Sequence, residues 1–184
     1  MKIAISGLSG CGNTTVSKLV AKKLRCRFLN YTLRNLAAGL KKPFPAVQKQ
    51  AEKSPVFDYA VDKKQAILAA SSPRIVVGSR LACWLDSPKV LGKLRVEKAP
   101  SFNLKAWLDA PLRVRAGRIA KREGKSLSLV LRETRARDAA NAARYKRLYE
   151  IDVSNHSGLF VVDVSKISAE QAADRIVEKV IRLK

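Results

Sequence analysis

The chain has 184 residues, with 37 Lys and Arg against 15 Asp and Glu and a formal charge of +22, which is long enough for one domain with a substantial core. Its longest apolar runs are strand-sized, far below the ~20 residues of a membrane span, and its first residues lack the basic-then-apolar pattern of a secretion signal, so a soluble cytoplasmic protein with no membrane partner is expected. Cys11, Cys26 and Cys83 fall in no metal-binding spacing and the single His156 sits in a polar loop, which argues against zinc and against a cysteine nucleophile.

A first strand is expected over 2–6, and Val16, Leu19, Val20 and Leu24 at helical spacing predict a helix over 14–25. Between them runs Gly7-Leu8-Ser9-Gly10-Cys11-Gly12-Asn13-Thr14-Thr15, a phosphate-binding loop in which Asn13 holds the lysine position. In such a loop the glycines let successive N–H groups turn inward, and the N-terminus of the next helix faces an anion. Gly7, Ser9, Gly10, Gly12, Asn13, Thr14 and Thr15 are therefore the candidate nucleotide-binding residues. Thr14 falls where the motif's hydroxyl ligates Mg²⁺.

Next come a strand over 27–30, helices within 32–71 and a strand over 74–78. Residues 86–103 place Lys89, Lys93, Arg95 and Lys98 among apolar neighbours, and a hairpin or a basic loop is expected there. A strand over 104–108 leads to helices over 111–123 and 127–149, then a strand over 159–163 and a helix over 168–183. The last helix opens with a capping box, Ser168 and Gln171, and carries Ala172, Ile176, Val177, Val180 and Ile181 as one apolar stripe. Alternation of strands and helices predicts an α/β fold with a parallel sheet covered on both faces.

Residues 112–148 hold twelve basic side chains against Glu123, Glu133 and Asp138. Arg137 and Arg144 lie seven residues apart, nearly two helical turns, so they share a face. Arg34 follows the second strand and Arg80 the third. Arginines that fork around phosphate oxygens are what phosphoryl transfer needs beyond the loop itself. The total charge is larger than a small-molecule site requires, and two sources account for it equally well: an RNA or ribosome partner, or a generally charged surface.

Several runs together resemble the archaeal type of cytidylate kinase, a P-loop nucleoside monophosphate kinase, over nearly the whole chain. They are Asn30-Tyr31-Thr32-Leu33-Arg34, the stretch from Asp58 to Gln65, Arg80-Leu81-Ala82 with Trp84, Arg118 to Ser126, and Arg144-Tyr145-Lys146 leading to Tyr149 and Ile151-Asp152. The resemblance implies one domain, 1–184, with a P-loop NTPase-like three-layer fold: a parallel five-stranded sheet, helices on both faces, acceptor-binding helices about 31–71, and a helical lid about 118–148. It implies ATP and Mg²⁺ as cofactors and CMP or dCMP as phosphoryl acceptor. Arg34 and Arg80 would hold the acceptor's phosphate, Asp62 would help recognise the cytosine edge, and Arg118, Arg137 and Arg144 would close over the moving phosphoryl group.

Two departures fall on the donor side. Asn13 replaces lysine, and Gly78 ends the third strand where these kinases commonly carry an acid that orders Mg²⁺ and its waters. A unit charge missing ~4 Å from a phosphate is worth on the order of 4 kcal/mol at an effective dielectric of about 20, or about a thousandfold in rate if fully expressed. A lid lysine or arginine could compensate in part. The alternative function is a kinase-like fold with weakened or lost catalysis whose basic segments bind RNA or the ribosome.

Overall fold

In the computed structural model, which describes residues 1–183, β1 (Lys2–Gly7), β2 (Arg27–Leu29), β3 (Ile75–Gly78), β4 (Leu104–Asp109) and β5 (Phe160–Asp163) pair in parallel in the order β2-β3-β1-β4-β5. Ile3, Ala4 and Ile5 of the central strand are fully buried. A strand covered on both faces has no polar side to show, which is why β1 reads as an unbroken apolar run. The register sets Ile5 between Gly78 and Ala106, so the strands end together at one edge of the sheet. In open parallel sheets that edge is where ligands bind.

On one face lie α1 (Asn13–Lys23) and α8 (Ala169–Ile181); Val16, Val20, Ala172, Ala173, Ile176 and Val180 pack with Ile3, Ile5, Val76 and Leu108. The Ser168 capping box at the start of α8 is present. Ile181 is not part of the stripe and is 59% exposed. Nine residues beyond Ala172 is half a turn around the helix, and Ala173 completes the buried face instead.

The other face is covered by α4 (Val56–Ser71), α5 (Pro88–Leu94) and the C-terminal part of α7 (Leu127–Tyr149), whose Ala66, Ala69, Val90, Leu94, Leu148 and Tyr149 pack with Ala4, Leu29, Ile75 and Val77. With α2 (Leu33–Gly39) and α3 (Phe44–Lys53), α4 completes the helical segment after β2. The N-terminal part of α7 and α6 (Leu112–Glu123) form a small core of their own from Ala116, Ile119, Ala120 and Val130.

Residues 86–103 form neither a hairpin nor only a basic loop. They begin with α5, where Ser87 is the N-cap, Pro88 takes the first helical position, and Val90 and Leu94, four residues apart, are 0% and 3% exposed. Lys89 and Lys93 point the other way, to Glu150 at 3.8 and 4.0 Å. No helix among the described residues is long and apolar enough to cross a membrane.

Candidate nucleotide-binding site

β1 ends at Gly7, and the chain turns through Leu8 to Gly12 to enter α1. Cys11 N–H donates to the Leu8 carbonyl at 3.2 Å to close the turn. Gly10 and Gly12 take φ of +87° and +93°, where any side chain is strained, and a Cβ on Gly10 would lie 2.6 Å from the Arg115 carbonyl oxygen. Gly12 caps α1 without a side-chain acceptor, and no acid stands in the first turn. The first N–H groups of α1 are therefore left for an anion. Thr14 and Thr15 are exposed at this end, and Thr14 Oγ1 accepts from Asn30 Nδ2 at 3.3 Å.

Asn13 turns back into the loop. Its Nδ2 donates to the Gly7 carbonyl at 2.5 Å, and its Oδ1 is buried without a partner. The side chain braces the two ends of the loop and brings no charge to them. At the neighbouring strand end, a Cβ on Gly78 would lie 2.6 Å from Ser17 Cβ. Ser17, one turn after Thr14 on α1, thus fills the space an acidic side chain would need. Its own hydroxyl is buried and unpartnered.

The strand ends open onto a cleft of about 940 Å³. Ser9, Gly10, Gly12, Asn13, Thr14 and Thr15 line it from the loop, Asp62 from α4, Arg80 from the end of β3, and Arg118, Arg137 and Arg144 from α6 and α7. Arg137 and Arg144 reach the same cleft, as their spacing requires. Gly7 and Arg34 do not line it. Gly7 is buried under the loop, where a Cβ would meet the Leu108 carbonyl oxygen at 2.6 Å. Arg34 is exposed and stacks on Phe44, 3.9 Å from the ring centre.

Arg122 and Arg147 add two further guanidinium groups to the lining, and Glu52, Asp58 and Asp62 are its acids. The cleft is therefore net positive. Arg144 Nη1 donates to Asp58 Oδ1 at 3.1 Å and its Nη2 to Asn141 Oδ1 at 3.2 Å, while Arg118 Nη2 donates to the Val164 carbonyl. Arg137 is exposed, with no ion-pair partner among the described residues.

Asp62 has neither a lysine nor an arginine on its carboxylate. Oδ2 accepts from the Tyr149 hydroxyl at 2.8 Å, and Oδ1 from Gln65 Nε2 at 3.4 Å. Burial disfavours the charged form and pushes its pKa up to about 7, against the pull of the Tyr149 hydrogen bond. A carboxyl group that both accepts and donates near neutrality is suited to a base edge.

A buried ion pair that sequence reasoning missed joins the loop to α6 and α7. Arg115, 5% exposed, donates from Nε to the Ala110 carbonyl at 2.9 Å and from Nη1 to Asp138 Oδ2 at 2.6 Å and the Ser9 carbonyl at 2.8 Å. Asp138 Oδ1 accepts from Ser9 N–H at 3.2 Å, and Ser9 Oγ accepts from Arg80 Nη2 at 3.2 Å. The signal was weak because the partners are 106 and 129 residues from Ser9 and sit in a run of like charges. His156 lies in its polar loop, with Nε2 3.1 Å from the Val153 carbonyl oxygen, and in addition its ring stacks on buried Trp107 at 4.3 Å, a contact that only the fold supplies. Cys11, Cys26 and Cys83 are free thiols, and burial pushes Cys11 up to about 11 and Cys83 up to about 12, so neither of these two is poised as a nucleophile.

No protein-family model matches the chain. It is 35% identical over 185 residues to cytidylate kinase 2 of Borrelia garinii subsp. bavariensis, covering 98% of this chain and 96% of that protein. Cytidylate kinase of Archaeoglobus fulgidus is 35% identical over 184 residues, covering 99% and 93%, so the relatives are not confined to archaea. Among solved structures, deoxyadenosine kinase from M. mycoides with bound dATP superposes with a TM-score of 0.61 at 19% identity, covering 98% of this chain and all of that one. Shikimate kinase from Acinetobacter baumannii gives 0.60 at 14% identity, covering 100% and 94%. The α/β fold with a five-stranded parallel sheet is thus shared with these two kinases. These comparisons support a nucleotide kinase and lend nothing to the RNA or ribosome partner expected from the charge. With relatives this similar along almost its full length, the chain belongs to the cytidylate kinase family.

Proposed function

We propose that the protein transfers the γ-phosphoryl group of ATP to CMP or dCMP. The observation that carries this reading is convergence: Arg80, Arg118, Arg137 and Arg144, from three separate parts of the chain, line one cleft between the phosphate-binding loop and Asp62. The loop's N–H groups and the start of α1 hold the donor's phosphates, and Asp62 and Gln65, with buried Tyr149 donating to Asp62 from behind, meet the cytosine amino edge. Exposed Arg137 and the partly engaged Arg118 and Arg144 neutralise the charge on the phosphoryl group in flight.

Magnesium would fit the donor side beside Thr14, with the donor's phosphates and water supplying its other oxygens. Thr14 offers a hydroxyl, and no group of three or more His, Cys, Asp or Glu gathers into a cage among the described residues. When bound, the ion neutralises developing charge on the donor's phosphates. Every other contact in the proposed reaction comes from the chain itself.

The test is ADP formation from ATP with CMP, dCMP or UMP as acceptor, run beside Arg137→Ala. CMP-dependent turnover that falls by about a hundredfold or more in the variant supports the reading. Turnover no higher than the variant's, together with strong, steeply salt-dependent RNA binding, would overturn it.

A further inference from the structure

Ser9 stands at the tip of the donor loop with all three of its polar groups taken. Asp138 holds its N–H, Arg115 its carbonyl, and its hydroxyl accepts from Arg80 Nη2. The first two contacts immobilise the tip against α6 and α7. The third fixes a guanidinium to it. Arg80 leaves the end of β3, beside the place where the acidic residue is missing, and it reaches across to the loop whose lysine is missing.

The loop itself supplies no cation. Asn13 is folded onto the Gly7 carbonyl, and no lysine lines the cleft among the described residues; its cations are all arginines. Of these, Arg80 is the one hydrogen-bonded to a side chain of the loop. Arg115 also contacts the loop, but it is spent on Asp138 and two carbonyls and does not line the cleft. A guanidinium is a planar fork with several N–H donors, so one edge can rest on Ser9 while the others face phosphate oxygens.

We propose that Arg80, oriented by the Ser9 hydroxyl, provides at the donor's polyphosphate the positive charge that Asn13 does not. Arg80 is then a catalytic residue shared by donor and acceptor phosphates, and Ser9 is its positioning residue. The proposal deepens the kinase reading and rests on it for the reaction, but its central claim concerns binding.

The experiment measures the affinity of ATP, and separately of inorganic tripolyphosphate, by calorimetry in the absence of CMP. Wild type is compared with Arg80→Ala, Arg80→Lys, Ser9→Ala and the double variant Arg80→Ala/Asn13→Lys, each checked for an unchanged melting temperature. Arg80→Ala weakens both ligands by about tenfold or more, and Ser9→Ala weakens them by a smaller factor of about three. In the double variant the lysine recovers most of the loss. Arg80→Lys retains more affinity than Arg80→Ala, because charge is kept while the fork is lost.

Unchanged ATP and tripolyphosphate affinity in Arg80→Ala overturns the proposal. A double variant no better than Arg80→Ala also counts against it, since the lysine would then not be replacing the same charge. Failure of the kinase reading is distinguishable: wild type without CMP-dependent turnover would remove that reading, while ATP affinity would still decide the role of Arg80.

Discussion

Asp62 sits 7% exposed in a cleft crowded with arginine, yet it is held by a phenol and an amide. Its carboxyl, near 3.8 in the unfolded chain, is raised to about 7 by burial when folded. The folded state therefore keeps a proton that the unfolded chain releases between these values, so the contribution to stability is full below about 4 and lost as pH rises through about 7. The loss is on the order of 4 kcal/mol as an upper bound. Asp62→Asn keeps an acceptor for Tyr149 and removes the titration, so urea unfolding should find the variant more stable than wild type at pH 8, with the advantage shrinking towards pH 4. The same proton bears on the acceptor. If the ionised carboxylate accepts from the cytosine amino group, KM for CMP falls as pH rises through about 7 in wild type and loses that inflection in Asp62→Asn. A flat profile in both proteins would remove Asp62 from base recognition. The position was marked only by the family resemblance of the Asp58 to Gln65 stretch, and its state was not visible at all, because burial beside Tyr149 is set by a residue 87 positions away.

Three elements, the loop after β1, α6 and α7, meet at Ser9, and one ion pair holds them. Arg115 on α6 and Asp138 on α7 have side chains only 6% and 14% exposed, and between them they occupy the N–H and carbonyl of Ser9. Removing one partner strands the other's charge away from water, so Asp138→Ala should cost about 3–5 kcal/mol in urea unfolding. Asp138→Asn should cost less, since its amide oxygen still accepts from Ser9 N–H. Replacing both charges with Met and Leu relieves the stranded guanidinium but leaves Ser9 unpaired. The double variant should therefore lie between wild type and Asp138→Ala, and a strictly additive cycle would show that the pair is not coupled. Elements themselves were largely readable. The capping box of α8, the strand–loop–helix order around Gly12 and the shared face of Arg137 and Arg144 all follow from local spacing. α5 was not, although Ser87-Pro88 is a helix start and Val90 and Leu94 lie one turn apart; Lys89 and Lys93, each just before one of these apolar residues, read as a solvated run when only one face of the helix meets solvent.

At the scale of the molecule, alternating apolar runs foretold a parallel sheet, while the strand order β2-β3-β1-β4-β5 depends on crossovers that leave no local trace. Net charge was the most visible global property, and it bears on stability as well as binding. Fifteen acids cannot pair with 37 cations, and some acids are doubled on a single cation: Lys23 takes both Glu170 and Asp174, and Lys125 takes both Glu123 and Glu133. Most of the remaining cations repel one another across a surface that folding makes compact. Salt shortens the range of that repulsion from about 10 Å at 0.1 M to about 3 Å at 1 M. The melting temperature should therefore rise by several degrees as sodium chloride is raised over about that range, without saturating at a site-like concentration. Tripolyphosphate should act differently. Its rise saturates, because it fills a cleft rather than an atmosphere, and Arg137→Ala reduces it while leaving the sodium chloride response intact. A melting temperature that falls or stays level with added salt would mean that the unpaired cations are already too far apart to matter. The charge of +22 would then exert no destabilising self-repulsion on the fold.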